Sequence, residues 1–328
     1  MATNDFQPFA VGAGANVLSQ ADWLALAALA AGFSSGVAPS AACNKAWRQS
    51  SIMASVLGQF IANGSGNNSV DDGTTATLLA NLSLAISNMG IGRVLRTSVY
   101  GRFPSTGGPG VSINGAAPSA TGAGAFTSQA STRLHQIFVA GGGAGGGGAA
   151  ATSSSQMAGG GGGSSGSIFQ SIPVAGPFSA VPITIGAGGA GGVAGANNGS
   201  PGGTSSFGSL ISCPGGAPGG AGVANAGGTN AGGAPSAPTG TLPAYLAYTG
   251  NPGCPGFSSF SANLAVGGGG GPSPFGAPAA WNSGGVSSPG QSANQWNAGG
   301  GGAAAVASTA AQAGGAGASG VIIIVEYA

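Results

Sequence analysis

The side chains able to do chemistry are few. The sequence has one histidine, three cysteines and five carboxylates. His135 is therefore the one imidazole base available. It alternates with Arg133 and Ile137, which places it on one face of a strand. Gly162-Gly-Ser-Ser-Gly166 fits the G-x-S-x-G elbow of serine hydrolases. That elbow needs a strand-to-helix turn, whereas this match lies inside a glycine run. Gly186-Ala-Gly-Gly-Ala-Gly191 fits G-x-G-x-x-G and follows a strand-like segment. A dinucleotide site needs a helix next, and the Gly- and Asn-rich residues 192–201 cannot form one. Glycoside hydrolysis usually takes two carboxyl groups. Asp5, Asp22, Asp71 and Asp72 all lie in the first quarter of the chain, and Glu326 is the one carboxylate beyond them. The same shortage argues against a protein-built metal site. Cys213 and Cys254 each open a Cys-Pro-Gly triplet, and Cys43 makes the count odd. They read as buried thiols in preference to a disulfide. The expectation is a protein with no catalytic residue, no metal and no cofactor, and not an enzyme.

Binding chemistry is better supplied. Tyr245, Tyr248, Phe257, Phe260, Phe275, Trp281 and Trp296 fall in the longer stretches between glycine runs. They can either plug the interior of a domain short of large side chains or form a receptor-binding surface, where rigid aromatics give contact area at low entropic cost. Tyr245, Tyr248 and Trp281 are the ones expected to be exposed.

Composition limits what can position these rings. Between Arg133 and Glu326 there is no Lys, Arg, Asp or Glu, whereas soluble domains are about a quarter charged. The chain has 71 Gly and 20 Pro in 328 residues, without the strict G-X-Y period of collagen. Its net charge of +1 and positive mean hydropathy are unlike those of disordered chains, which are polar and highly charged. Lys45, Arg48, Arg93, Arg96, Arg102 and Arg133 are the only cations and form no cluster, which argues against binding nucleic acid by phosphate neutralisation. The apolar run Trp23–Ala31 has no Lys or Arg ahead of it and is too short to span a bilayer. No signal peptide and no membrane insertion are expected.

In chain order, residues 1–18 read as an extended arm. Ser19 to Asp22 resembles a capping box, so one helix should run from Gln20 to Ala31 and bury Trp23, Leu24, Leu26 and Leu29. A second helix should start after Pro39-Ser40, end near Ala62 and close on Asn63-Gly64. Its apolar residues, Trp47, Met53, Val56 and Phe60 among them, occupy more than one stripe, so one face is free for a symmetry mate. Lys45 and Arg48 should be solvated or paired with Asp71 and Asp72. Asp72 should cap a third helix, Thr74 to Asn88, with Leu78, Leu79, Leu82 and Ile86 inward. Three short helices make a small core that favours oligomerisation. From Arg93 the period becomes two, and strands are expected at 93–100, 125–127, 133–139, 167–174, 180–185, 204–211 and 320–327. The glycine runs between them, Gly267–Gly271 with Gly269 at its centre included, should be polyproline-II-like segments. Such segments have no internal hydrogen bonds, so when buried they must bond to one another. A Val at Gly269 should therefore meet neighbouring backbone.

Two stretches carry a resemblance. Gly36-Val-Ala-Pro-Ser-Ala-Ala-Cys-Asn-Lys-Ala-Trp-Arg-Gln-Ser-Ser51, with Gln59–Ala62 and Asp71-Asp-Gly73, resembles the N-terminal region of tail fibre proteins of tailed bacteriophages and related prophages. The ordered series Ile137–Gly143, Ile183–Gly192, Gly202–Gly208 and Gly317–Tyr327 resembles the glycine-rich C-terminal domain of those fibres. There is no long shaft between the two parts. The resemblance implies a homotrimeric fibre on the virion, made in the host cytoplasm and attached to baseplate or tail proteins. Its distal part would bind a bacterial surface polysaccharide, outer-membrane protein or pilus. The expected fold is α+β, with short trimerising and anchoring helices at 1–92, a β linker at 93–132 and a glycine-rich β tip with polyproline-II-like segments at 133–328. Trp47, Met53, Val56 and Phe60 are the expected trimer interface. The expected function is non-catalytic host attachment. The alternatives are a structural baseplate component and a glycine-rich ice- or surface-binding protein.

Overall fold

The structure, a computed structural model, describes residues 2–89, 93–225, 227–259, 263–282 and 285–328. It is α+β and mostly β, in two compact units, Met1–Arg93 and Val94–Tyr327.

In the first unit the helices are α1 (Gln20–Ala25), α2 (Ala28–Ala31), α3 (Ser40–Ser65) and α4 (Ala76–Met89). Ser19 caps α1 by accepting from the Asp22 amide, and its hydroxyl donates back to the Asp22 carboxylate. The helix expected to run on to Ala31 is broken at Leu26, whose backbone is extended. Trp23 and Leu26 are half-buried, but Leu24 and Leu29 are exposed, contrary to the expected inward face. α3 passes through Gly64 and stops at Gly66, whose left-handed backbone lets its amide reach the Ala62 carbonyl. α4 packs on α3, and Ile61, Ala62 and Ala85 are buried. Leu79 and Ile86 face outward, again contrary to expectation. Asp72 accepts from the amide and hydroxyl of Thr74, and these bonds hold its carboxyl below the ordinary range. Lys45 is buried, not solvated, and the ion pairs among the described residues do not include Lys45, Arg48, Asp71 or Asp72. The N-terminal arm lies on α3 at Gly58, where an added Cβ would come within 2.3 Å of Asn4 Oδ1.

The second unit is built on the closing strand, Val321–Tyr327. Its apolar run is central in a seven-stranded antiparallel sheet that runs 244–248, 168–171, 134–140, 321–327, 94–103, 108–113, with 174–175 also beside 134–140. Residues 93–132, expected as a linker, thus contribute two strands to this sheet. Period-two alternation sends Ile322 and Ile324 to one face. There they join Tyr100, Ile137, Val139 and Phe169 against Phe126, Ile183, Phe207 and Ile211 of a five-stranded sheet. The opposite face carries Val99, Phe138 and Ile323. Cys213 is a buried free thiol in the first core, and burial pushes its pKa up to about 12. Cys43 and Cys254 are also free.

The glycine runs form a lattice with a period of three. In run 141–150, the amides of Gly142, Gly145 and Gly148 donate to Gly203, Ser200 and Asn197. Those of Gly143, Gly146 and Ala149 donate to Ala318, Gly315 and Gln312, and those of Ala144 and Gly147 to Ser164 and Gly161. These three neighbours are antiparallel. Three parallel neighbours donate to its carbonyls: Gly189, Gly192 and Gly195; Gly216, Gly219 and Gly222; Gly300 and Ala303. Every third residue faces the same neighbour, as three residues per turn of polyproline II requires. Run 160–167 is surrounded in the same way, donating to segments 297–303, 214–220 and 251–254. An added Cβ at Gly145 would lie 1.9 Å from the Ala190 carbonyl oxygen. At Gly269, by contrast, it would meet the Trp281 indole first, at 2.9 Å, so that glycine is roofed by a side chain where backbone was expected.

Substitution should therefore separate lattice glycines from free ones. Gly145→Ala is expected to destabilise the second unit by more than about 2 kcal/mol, in the range of severe packing lesions. Gly124→Ala, where a Cβ meets nothing within 4 Å, should be neutral. Equal thermal midpoints for the two variants would refute the lattice.

Candidate functional site

The candidate binding surface follows from how run 264–272 is dressed. Phe257 is paired opposite Val266, the Trp281 indole covers Gly269, and Tyr248 donates to Asn251, whose amide donates to the Pro272 carbonyl at 3.0 Å. Tyr248 ends the edge strand Ala244–Tyr248, which is exposed along its whole length. A register shift between Ala244 and Leu246 leaves Tyr245 at a bulge, the device by which a strand re-aims a side chain. Tyr245 is 74% exposed and Trp281 56%, with Phe257 and Tyr248 near 40%. Four of the seven aromatics expected at a receptor surface are thus open to solvent. Phe275 and Trp296 are placed otherwise. They meet edge to face at 5.9 Å, with Phe138 and Phe103 as further partners, and pack on the sheet face at Val99 and Ile323. Both rings are half-buried against that face, and Trp296 keeps one side open. Phe260 lies outside the described residues.

The residues weighed for catalysis are held by structure. Ser164, in the elbow-like match, is fully buried, and its hydroxyl accepts from the Ala217 amide at 2.7 Å. Run 186–192 is extended, with the Gly189 amide bonded to the Gly143 carbonyl. His135 and Glu326 are buried opposite each other on adjacent strands, with Arg96 opposite Glu326 on the other side. Arg96 Nε donates to Glu326 Oε2, while Oε1 accepts from the Gln129 amide and the Thr132 hydroxyl, both at 2.9 Å. A buried carboxylate is stable when it is paired and its remaining lone pairs are filled. Ser128 Oγ lies 2.7 Å from His135 Nε2, and Glu326 Oε1 lies 4.0 Å from the same nitrogen. A serine–histidine–carboxylate relay needs the acid on Nδ1 and the hydroxyl on Nε2. Here both meet Nε2, and Nδ1 has no carboxylate or hydroxyl partner among the described residues, so the cluster ties the 127–132 loop to the sheet. Nothing in the sequence pointed to this knot, because it depends on strand register. The described residues contain no group of three or more metal-ligating side chains, and no helix among them is long and apolar enough to cross a membrane.

A second feature is a cleft of about 430 Å³ bounded by Arg102–Pro104, Ala293–Trp296 and Ala318–Ser319. Three distant segments form it, so no local sequence signal marks it.

Residues 119–327, which span the main sheet's closing strand and both central runs, match the family model described as a glycine-rich domain. The chain belongs to that family. No curated protein matches it. The matched stretch holds the lattice, the five-stranded sheet and five strands of the main sheet, while strands 94–103 and 108–113 precede it.

Two outcomes are expected for the buried knot. Glu326→Ala strands the Arg96 charge and should cost roughly 3 kcal/mol, as breaking buried pairs does. Burial, opposed by Glu326, lowers the His135 pKa. The unfolded chain then takes up a proton near pH 6.5 while the folded one resists. Stability should thus be full above about pH 6.5 and fall as pH drops below it. His135→Leu should flatten the change in thermal midpoint between pH 7.5 and about 5. An unchanged slope would contradict this assignment.

Proposed function

We propose that this protein is a tail fibre of a tailed bacteriophage or prophage, and that it attaches the virion to the host cell surface without chemistry. The observation that carries the reading is the set of exposed rings: Phe257, Trp281 and Tyr248 are placed along run 264–272, and Tyr245 stands open on the edge strand that Tyr248 ends. Large rings left open on a rigid frame suit a binding surface. The absence of charge from 134 to 325 suits recognition by shape, backbone polar groups and aromatic contact. The receptor would be a surface polysaccharide, an outer-membrane protein or a pilus. Many fibres on one virion would compensate for weak single contacts.

The helical unit would join and anchor the chains. Met53, Val56, Leu57 and Phe60 recur at i, i+3, i+4 and i+7 on α3 and line an apolar groove of about 470 Å³. Met53 and Val56 are 69% and 60% exposed, and Trp47 is also open. Such a stripe fits the seam of a helical trimer. The same stripe fits docking onto a baseplate protein, which keeps the structural-component reading as the second one.

Two measurements test this. Val56→Asp should leave each chain folded, since the side chain is exposed, but shift the mass in solution from trimer to monomer. A parent protein that is monomeric at micromolar concentration would sink the trimer. Alanine at Tyr245, Tyr248 and Trp281 together should abolish competition with virions for host cells at unchanged thermal midpoint. Competition equal to the parent's would remove the receptor site from these rings, and failure of the parent to compete would favour the structural component.

A further inference from the structure

We propose that the cleft at Trp296 binds one pyranose unit of a glycan. Its volume, about 430 Å³, is in the range of small-ligand clefts, roughly 300–1,000 Å³. One wall is aromatic: Trp296 and Phe103 stand edge to face, 5.8 Å apart at 88°. The indole lies against strand residue Gly101, where a Cβ would sit 3.4 Å from Cζ2 and Nε1, in van der Waals contact. Opposite chemistry comes from Asn294, Gln295 and Ser319, which also line the cleft. Among the described residues, the side chains of these three and of Arg102 have no hydrogen-bond or ionic partner, and the described residues also give the Trp296 indole N–H none.

That combination has a specific match. A pyranose presents an apolar face of C–H groups and a rim of vicinal hydroxyls. The apolar face pairs with an aromatic ring, and each hydroxyl needs both a donor and an acceptor. Carboxamides offer both in one plane. Burying a hydroxyl without such partners is costly, so an aromatic wall beside free amides favours a sugar over a purely apolar ligand. Arg102 is the one charge lining the cleft and admits an acidic sugar.

The frame is already in place. The Asn297 amide donates to the Ser319 carbonyl at 2.8 Å, and Ala318 donates to Ala298 at 2.9 Å. The Asn297 side chain donates to the carbonyls of Gly141 and Gly166 at 2.8 and 2.9 Å, which pins the Trp296 loop to both central runs. A ligand would therefore meet a preformed backbone frame, and the ordering cost of binding would fall on the side chains of Asn294, Gln295 and Arg102.

The experiment uses the full chain with the methyl glycosides of glucose, galactose, N-acetylglucosamine and glucuronic acid, each followed by saturation-transfer NMR. At least one should bind with a Kd near about 1 mM, roughly 4 kcal/mol of affinity. Asn294→Ala/Gln295→Ala removes two exposed side chains, so the fold and thermal midpoint should persist while affinity falls about tenfold or more, equivalent to roughly 1.4 kcal/mol. Trp296→Phe should weaken binding as well. Saturation of none of the four glycosides, or equal affinity in the double variant, would overturn the proposal. A preference for the glucuronide that Arg102→Gln abolishes would assign the acidic sugar. The inference stands apart from the fibre reading: a chain that binds glycoside but fails to compete for host cells keeps this site and loses that function, and the reverse result does the opposite.

Discussion

Hydrogen bonds between glycine backbones hold the second unit together. In run 141–150 the amides from Gly142 to Ala149 all find a carbonyl on a neighbouring segment. A buried peptide group left unpaired costs about 1–3 kcal/mol, and these residues are fully buried. Satisfying them requires neighbours on every side at backbone-to-backbone distance, and that in turn requires glycine. The composition is thus a consequence of the hydrogen bonding. Each glycine costs conformational entropy, and the lattice offsets that cost by pairing nearly every group it buries.

The sheets supply what the lattice lacks. A bundle of glycine segments buries little apolar side-chain area, the main favourable term in most folds. Here the conventional core is displaced to one end, where the closing strand separates two apolar clusters. Several lattice segments continue directly from strands: Ala140 into 141–150, Cys213 into 214–222, and Gly320 into Val321. Strand register therefore sets the phase of the lattice. The buried Arg96–Glu326 pair, with His135 opposite Glu326, lies across the same strands, and a slip of two, which the apolar residues Ile322–Ile324 alone would allow, would separate the pair.

Much of this was legible in the sequence, and the exceptions have physical causes. The strands at 134–140 and 321–327 were readable because alternation and β-branched residues coincide there. α3 was readable from its long apolar pattern, but its end was misplaced by two glycines: Gly64 is tolerated inside the helix, while Gly66 takes the left-handed cap. Leu24, Leu29, Leu79 and Ile86 face outward, against the apolar pattern, because α1 and α2 bury no residue and α4 turns Asn81 and Ala85 inward. The need for glycine runs to pair was deducible from unpaired backbone, but which run meets which was not, since every run looks alike. Exposure of Tyr245, Tyr248 and Trp281 agreed with expectation. The half-buried packing of Phe275 and Trp296 depends on sheet faces that no local pattern reveals, and the cleft beside Trp296 shares that cause.

Amide hydrogen exchange at the two central runs tests the lattice most directly. If 142–149 and 160–167 are bonded on every side, all their amides should exchange slowly and together. There should be no period-two alternation, and protection should approach that of the closing strand Val321–Tyr327, as for groups released only by global unfolding. Exchange of Gly145–Gly148 or Gly160–Gly163 at the rate of an unstructured glycine peptide, with the closing strand still protected, would contradict the account.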